Sequence, residues 1–593
     1  MKFRHAAFAT LAVASFFLTG ASHSHAEATK LWSAKLPDKL KWQRVTEYGT
    51  LLVGTSGSVV NYDPATGKPL WIREDIDNIA PFNVREIQGT PALLVVQQTG
   101  TIPPKSKGYS LDIATGKTIW ETKEITGSYL GAFAIPEKQM AVFFVQQFDG
   151  EGGAGTFVRA VNAYTGAVLW STKYGDANDI QLHTAENSGM FFVKMDLSGH
   201  QSPVLAGDTL LLPFQGVHAF DIKTGALKWG VPFKPSNKAF KQSYPPLTVA
   251  DATVYASGNG VVYAIDLANG AVRWKTDKLR SGFFGTGVIS ELIPAGDVLF
   301  ARMGGNFTAD NKHWELKEPI GVMAVDRKTG AKLWEDDDLE KGLTNVVVLP
   351  DNKSVMVADA DHLKGYDARG GAKASTSFEV PIEFKRSLGV ADTTAMGMKV
   401  GLGLLTGGFI GAAQGSVSAA AGDDRKDVPV QLMRTDQNKV VVRGQQHILS
   451  FDPAKKAVDW SLYYEAPGVN DFAIIAMGAL SAAASMANWS SAVQSGAYAS
   501  EASQKAVAGF DDFQKMASKR YTAAKASARR AFFLTNVEEG RKKGPGLIGV
   551  DLTTGQNTAQ VYLGDKEPKY SVDEVTGRVF YFEDDKEVTG FQM

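Results

Sequence analysis

The stretch that decides the fold is Asp221-Ile222-Lys223-Thr224-Gly225-Ala226-Leu227-Lys228-Trp229. Its pattern, Asp-x-x-Thr-Gly-x-x-x-Trp, recurs along the chain, and the Trp always lies eight residues after the first position (229 − 221 = 8). A motif that returns at intervals of supersecondary size predicts a repeat architecture. The repeat residues are Asp63, Gly67 and Trp71; Asp112, Gly116 and Trp120; Gly166 and Trp170, where Asn162 replaces the Asp; Asp221, Gly225 and Trp229; Asp266, Gly270 and Trp274; Asp326, Gly330 and Trp334; and Asp452 with Trp460, where Thr-Gly is lost. Two further copies, 367–370 and 551–555, keep the turn and lose the Trp.

Each copy predicts a β-hairpin that docks on a neighbour. An alternating apolar run such as 261–265 precedes the motif and is typical of a strand. The Asp carboxylate can accept hydrogen bonds from backbone N–H groups two residues on, and Gly supplies the positive φ that a tight turn needs. The Trp opens the next strand with a large apolar ring that can be buried against the adjacent unit.

The two ends of the chain together predict a closed ring. Residues 31–35 look like the Trp end of a unit whose Asp-x-x-Thr-Gly half is missing. Segments 570–573, 578–583 and 586–593 predict three strands with no fourth after them. An N-terminal strand that completes this last unit would remove the exposed sheet edges of a linear array. The sequence therefore predicts an all-β fold, a single β-propeller of about eight to ten four-stranded blades with Ala/Gly-rich helical insertions.

The repeated hairpin resembles the tryptophan-docking repeat of pyrroloquinoline-quinone-type propellers. That superfamily includes quinoprotein dehydrogenases and the propeller subunit of the outer-membrane barrel-assembly machinery. The resemblance covers most of the chain after its N-terminal segment and implies the fold. It does not imply a particular activity, because function lives in sites grafted onto folds.

The N-terminus predicts export from the cytoplasm. Lys2, Arg4 and His5 form a basic start, 6–18 is apolar, and 24–26 offers small residues for cleavage, so 1–26 is a predicted signal peptide. The chain has no Cys, which excludes a disulfide framework and a thiol nucleophile. We expect a bacterial periplasmic protein, with secretion as the alternative. The net charge of −1 gives no indication of a nucleic-acid partner.

Two long insertions are predicted where the repeat fades, at 387–427 and 471–530. They divide the propeller into 27–386, a blade at 428–470, and the last blades at 531–593. Small residues recur every fourth position in both insertions, which on a helix forms one closely packing face. These residues are Gly403, Gly407, Gly411 and Gly415 in the first insertion, and Ala479, Ala483 and Ala487 in the second. The helices can pack on each other as a soluble pair, or 400–422 and 472–530 can associate with a membrane.

The sequence predicts no catalytic, cofactor-binding or metal-binding residue. The absence of Cys excludes the alcohol-oxidising subtype that holds its quinone against a cysteine pair, and no residues align with the calcium ligands that the resemblance implies. The acidic loops 149–151 and 359–361 lack the spacing of a calcium loop and favour solvated turns. No His pair has metal-ligand spacing, and His218 is interpreted as a packed strand residue.

Three functions fit the sequence. The first is a non-catalytic periplasmic scaffold that binds an envelope protein partner and no cofactor. The second is a pyrroloquinoline-quinone dehydrogenase. The third is a membrane-associating protein that acts through the small-residue helices.

Overall fold

The computed structural model describes most of the predicted repeat region. It covers residues 26–175, 203–233, 247–384, 429–464 and 530–593, apart from gaps at 88–89, 100–103, 136–137, 151, 214–215, 282–284, 305, 308–313, 316–318, 338, 340–343, 352, 430, 436, 445 and 566–567. The predicted signal peptide as far as residue 25, Gly403, Gly407, Gly411, Gly415, Ala479, Ala483 and Ala487, and the segments 400–422 and 472–529 all lie outside the described residues.

The described residues form strands and one short 3-10 helix, Pro81–Asn83. The strands of the first half are β1 (Ala26–Glu27), β2 (Thr29–Lys35), β3 (Leu40–Val45), β4 (Leu51–Thr55), β5 (Val59–Tyr62), β6 (Pro69–Arg73), β7 (Val84–Glu86), β8 (Ala92–Thr99), β9 (Lys105–Asp112), β10 (Thr118–Glu121), β11 (Ile125–Ile135), β12 (Met140–Gln147), β13 (Gly155–Asn162), β14 (Val168–Gly175), β15 (Val204–Ala206), β16 (Thr209–Pro213), β17 (Gly216–Asp221), β18 (Leu227–Pro232), β19 (Thr248–Ala250), β20 (Thr253–Gly258), β21 (Val261–Asp266) and β22 (Val272–Lys275).

The second half continues in the same pattern. Its strands are β23 (Arg280–Ser281), β24 (Gly285–Thr286), β25 (Ile289–Ala295), β26 (Val298–Met303), β27 (Asn306–Phe307), β28 (Trp314–Glu315), β29 (Gly321–Asp326), β30 (Lys332–Asp336), β31 (Val347–Val348), β32 (Ser354–Ala358), β33 (His362–Asp367), β34 (Phe378–Pro381), β35 (Gln431–Arg434), β36 (Val440–Arg443), β37 (His447–Asp452), β38 (Ala457–Tyr463), β39 (Arg530–Glu539), β40 (Lys542–Asp551), β41 (Asn557–Tyr562), β42 (Lys569–Asp573), β43 (Arg578–Glu583) and β44 (Glu587–Gln592).

The strands pair into successive antiparallel units, which we number in chain order. The units are 1 (β3–β6), 2 (β7–β10), 3 (β11–β14), 4 (β15–β18), 5 (β19–β22), 6 (β25, β26, β29, β30), 7 (β31–β34), 8 (β35–β38), 9 (β39–β41) and 10 (β42–β44 with β2). A short pairing of β9 with β11 joins units 2 and 3 into one sheet. In unit 6 the hairpin β27–β28 is inserted between β26 and β29.

The N-terminal segment completes unit 10. Strand β2 pairs antiparallel with β44, so that Trp32 lies opposite Gly590 and Ser33 opposite Thr589. Just before it, β1 runs parallel to β41 at the outer edge of unit 9. Strands from both ends of the described chain thus form one sheet, as the incomplete unit at 31–35 predicts.

The core is divided among the seams between consecutive units. A typical cluster joins Trp42 and Leu52 of unit 1 to Val84 and Leu93 of unit 2. Equivalent clusters link each later unit to the next, and the last joins Phe580 of unit 10 back to unit 1. The contacts therefore return to their starting point, as in a propeller.

Burial explains the different sequence patterns of the strands. The central strand β16, Thr209–Pro213, is buried throughout and is almost entirely apolar, because a neighbouring unit covers each face. The outer strand β18 has both neighbours of its buried Trp229 exposed. In the part of the chain described above, no helix has the length and apolar character needed to cross a membrane.

Candidate interaction groove

The tryptophan repeat joins one unit to the next. Within its own turn, the Asp221 carboxylate accepts hydrogen bonds from the backbone N–H groups of Lys223 at 3.0 Å and Thr224 at 2.9 Å. The Trp229 ring lies over Gly270 of the following unit, and its Nε1 donates to the Leu267 carbonyl oxygen at 3.0 Å. Each hairpin therefore presents a turn to the preceding unit and a ring to the following one.

The same contact recurs at most seams. The rings lie over the turn glycines in the pairs Trp32–Gly67, Trp71–Gly116, Trp120–Gly166, Trp170–Gly225, Trp229–Gly270, Trp274–Gly330, Trp334–Gly371 and Trp460–Gly555. In all of these pairs but the last, the indole N–H donates to the carbonyl oxygen of the residue after the repeat's first position in the next unit, at 2.8–3.0 Å. The Trp460 Nε1 is buried without a hydrogen-bond partner among the described residues.

The seam between units 7 and 8 departs from this pattern. Phe378 lies opposite Gly365, which is the register position that Trp occupies elsewhere. Lys456 takes the place of the turn glycine, with φ of 54°. At this seam Phe378 therefore replaces the Trp, and the contact between the units remains.

The turn at Asp367, which receives Trp334 at the seam between units 6 and 7, also differs from the other copies. The glycine whose N–H donates to the Asp367 carbonyl oxygen is Gly371 rather than Gly370.

The seam between units 5 and 6 opens into a groove of about 1000 Å³. One wall is the segment that follows β22. The other wall is built from the β29–β30 hairpin of unit 6 and the residues around it. The lining residues are Lys275, Thr276, Asp277, Lys278, Leu279 and Arg280 on the first wall, and Pro319, Ile320, Met323, Thr329, Gly330, Ala331, Lys332, Glu335, Asp337 and Leu339 on the second.

Backbone hydrogen bonds hold the first wall in place. The Thr276 N–H donates to the Val262 carbonyl oxygen at 3.0 Å, and the Leu279 N–H donates to the Gly260 carbonyl oxygen at 2.8 Å. The Thr276 hydroxyl accepts from the Val262 N–H at 3.0 Å. The wall therefore has a defined shape before any partner arrives, which lowers the ordering entropy of binding.

The groove combines apolar and charged surface. Met323 and Leu339 are buried, and Leu279 and Ile320 are partly buried beside them. On the second wall, Lys332 pairs with Glu335 at 2.5 Å. Apolar and charged side chains together are the usual composition of a surface that binds another protein.

Asp359 and His218, two of the residues considered for chemistry, have structural partners. The buried Asp359 accepts backbone N–H bonds from Asp361 at 2.9 Å and His362 at 2.7 Å, so it closes a turn rather than facing solvent. His218 contacts the Tyr174 hydroxyl through Nδ1 at 3.1 Å, and its burial lowers its pKa. Within the described ranges, no group of three or more His, Asp or Glu residues is arranged to hold a metal ion.

The groove could not be predicted from the sequence. Its two walls are separated along the chain, and the repeat residues Thr329 and Gly330 on the second wall occur equally at the other seams. The connection 276–288 between β22 and β25 is not distinctive in the sequence, because the connection 233–247 between β18 and β19 is longer and also carries three Lys.

The repeat, its sheets and its docked rings define the class: the chain has a pyrroloquinoline-quinone-like, propeller-type repeat fold. More particularly, it matches the family model described as outer membrane protein assembly factor BamB, over residues 21–193 and 105–312. A search of curated proteins gives no significant match.

Solved structures with similar folds are distant in sequence. BamB from Moraxella catarrhalis is 16% identical, with a TM-score of 0.33, over 72% of this chain and 97% of that one. The computationally designed Ika8 protein is 13% identical, with a TM-score of 0.32, over 70% of this chain and 96% of its own. Dihydro-heme d1 dehydrogenase NirN is 13% identical, with a TM-score of 0.33, over 58% of this chain and 66% of its own.

Proposed function

We propose that the protein is a non-catalytic periplasmic scaffold that binds protein partners at the cell envelope through the groove between units 5 and 6. The observation that carries this proposal is the groove itself, a preformed concavity with apolar and charged lining on a rigid sheet framework. The match to the model of an outer membrane protein assembly factor supports the envelope location, and the predicted signal peptide supports export.

We further propose that units 1–10 are the blades of one closed ring. The continuous series of seam clusters and the pairing of β2 with β44 support this arrangement. The insertions at 387–427 and 471–530 follow units 7 and 8 along the chain. Cryo-electron microscopy class averages of the purified chain test this proposal, and an open arc or two separate rings would contradict it.

The chain has no Cys, so one introduced thiol can carry a photo-crosslinker at a chosen place. Asp277→Cys puts the label in the groove, three residues after Trp274 (277 − 274 = 3). Lys123→Cys is the matched control, three residues after Trp120 (123 − 120 = 3) and also exposed. Both variants would be expressed in the native envelope, labelled with a benzophenone maleimide and irradiated.

We expect an envelope protein to be crosslinked from position 277 and not from position 123. The same products at both positions, or none at 277, would contradict the assignment of the groove as the contact site. The melting temperatures of the two variants should agree, which shows that the label and not the fold determines the result.

A further inference from the structure

We infer that the groove takes an extended peptide segment that combines acidic with apolar side chains. This inference rests on the proposed scaffold function and adds the chemistry of the partner. Its basis is an asymmetry of charge between the two walls of the groove.

The first wall carries three cations that have no ion-pair partner. Lys275, Lys278 and Arg280 line the groove, are exposed, and make no salt bridge with any residue that the structure describes. Asp277 is the one acid on this wall and also lies outside ion-pair distance of them. Elsewhere on the outer strands, Arg73 of β6 pairs with Asp75 at 2.6 Å, and Arg273 of β22 pairs with Asp266 at 2.7 Å.

The second wall does not neutralise the first. Lys332 and Glu335 pair with each other, so that Asp337 is the uncompensated charge among the described residues that line that side. Three cations against two acids give the groove a small positive excess concentrated on one wall. Like charges at the edge of a concave, low-dielectric surface reinforce their field and attract an anionic ligand.

The apolar residues determine what else the ligand must carry. Leu279, Ile320 and Met323 also line the groove, and bare carboxylates placed against them would lose their hydration. A ligand with apolar groups toward these residues and carboxylates toward Lys275, Lys278 and Arg280 satisfies both parts. In an extended peptide, alternate side chains point in opposite directions, so alternating acidic and apolar residues match the two surfaces.

The test uses the purified full-length mature protein and an end-blocked, fluorescein-labelled peptide of alternating glutamate and leucine. Binding is measured by fluorescence anisotropy as a function of sodium chloride concentration. The test variant is Lys275→Glu, Lys278→Glu and Arg280→Glu together. The control variant, Lys35→Glu, Lys39→Glu and Lys41→Glu, makes the same change in net charge at exposed cations near the start of unit 1.

We expect the test variant to bind the peptide about tenfold or more weakly, and the control variant to bind like the parent. Affinity for the parent should fall as salt rises, and a lysine–leucine peptide should not bind. Equal affinity in the test and parent proteins, or equal binding of the lysine peptide, would overturn the inference. Loss of binding to phosphatidylglycerol vesicles in the test variant, with peptide binding unchanged, would assign the cations to lipid and also overturn it.

The outcomes separate this inference from the proposed function. Specific crosslinking at position 277 without binding of the acidic peptide would support the scaffold function and contradict the inferred partner chemistry. Peptide binding by the purified protein without crosslinking in the envelope would support the partner chemistry and contradict the scaffold function.

Discussion

The ammonium group of Lys456 lies 5.6 Å from the centre of the Phe378 ring, across the seam between units 7 and 8. It also donates to the Thr376 carbonyl oxygen at 3.2 Å. At the eight seams with a docked ring, the corresponding residues are a Gly and a Trp, as with Gly67 and Trp32. The contact of the Lys456 ammonium with the Phe378 ring therefore replaces the contact of a Trp ring with a turn glycine.

Restoring the usual pair should show that these positions are equivalent. Phe378→Trp and Lys456→Gly together should be more stable than the sum of the single changes predicts, by about 0.5–3 kcal/mol. The reason is that a Trp ring needs the space over a glycine, and its indole N–H can then donate to the Pro453 carbonyl oxygen, as Trp32 does to Pro64. A double-mutant cycle in urea measures this coupling. Strictly additive effects would show that the two positions are not a docking pair.

Truncating an intact docking ring should destabilise the fold without affecting the groove. Trp229 is buried, so Trp229→Ala should lower the free energy of unfolding by about 3–5 kcal/mol. The control is Leu227→Ala on the same strand, 53% exposed, which should change it by no more than about 0.5 kcal/mol. Denaturant unfolding compares the two variants, and similar losses in both would count against a special role for the ring.

Substituting the turn glycine by Ala should lower the free energy of unfolding by more than its backbone angle alone explains. Gly270 has φ of +76°, and a Cβ there would lie 2.8 Å from the Trp229 ring. Gly207 has φ of +61° and nothing within 4 Å of the same position. Gly207→Ala should therefore cost only the left-handed strain of about 1–2 kcal/mol, and Gly270→Ala clearly more. Thermal or urea unfolding measures both, and equal losses would show that the ring moves aside without penalty.

His218 should make stability depend on pH. Burial lowers the pKa of this imidazole in the folded protein, whereas the unfolded chain takes up the proton near pH 6.5. The unfolded state therefore binds more protons below that value, so this contribution is complete above it and is lost as the pH falls. Urea unfolding of the parent and of His218→Gln across pH 7.5 to 5 measures the slope. Identical slopes in the two proteins would contradict the prediction.

The repeat was predictable because each hairpin is determined locally. Asp221, Gly225 and Trp229 act through contacts within one turn or with the next turn, and their spacing is the same wherever they occur. The fixed spacing is lost where the turn changes length. Phe378 lies 11 residues after Asp367 (378 − 367 = 11) instead of eight, so a fixed interval passes over it.

The groove was not predictable for a different reason. Lys278 and Glu335 line the same concavity from different units, and the repeat pattern fixes neither residue type. The cations are also uninformative in the sequence alone, since an unpaired lysine differs from a paired one such as Lys107 only through its neighbours in space.

The pairing of β2 with β44 has a consequence for how the protein is made. The Ser33 and Thr589 hydroxyl groups lie 2.8 Å apart although 556 positions separate them in the chain. During synthesis, β2 emerges before any of the repeats and has no partner strand until β44 has been made. Trp32 and the open edge of β2 must therefore be kept from aggregating until that point, and a chain that stops before β44 is left with an unpaired, aggregation-prone strand.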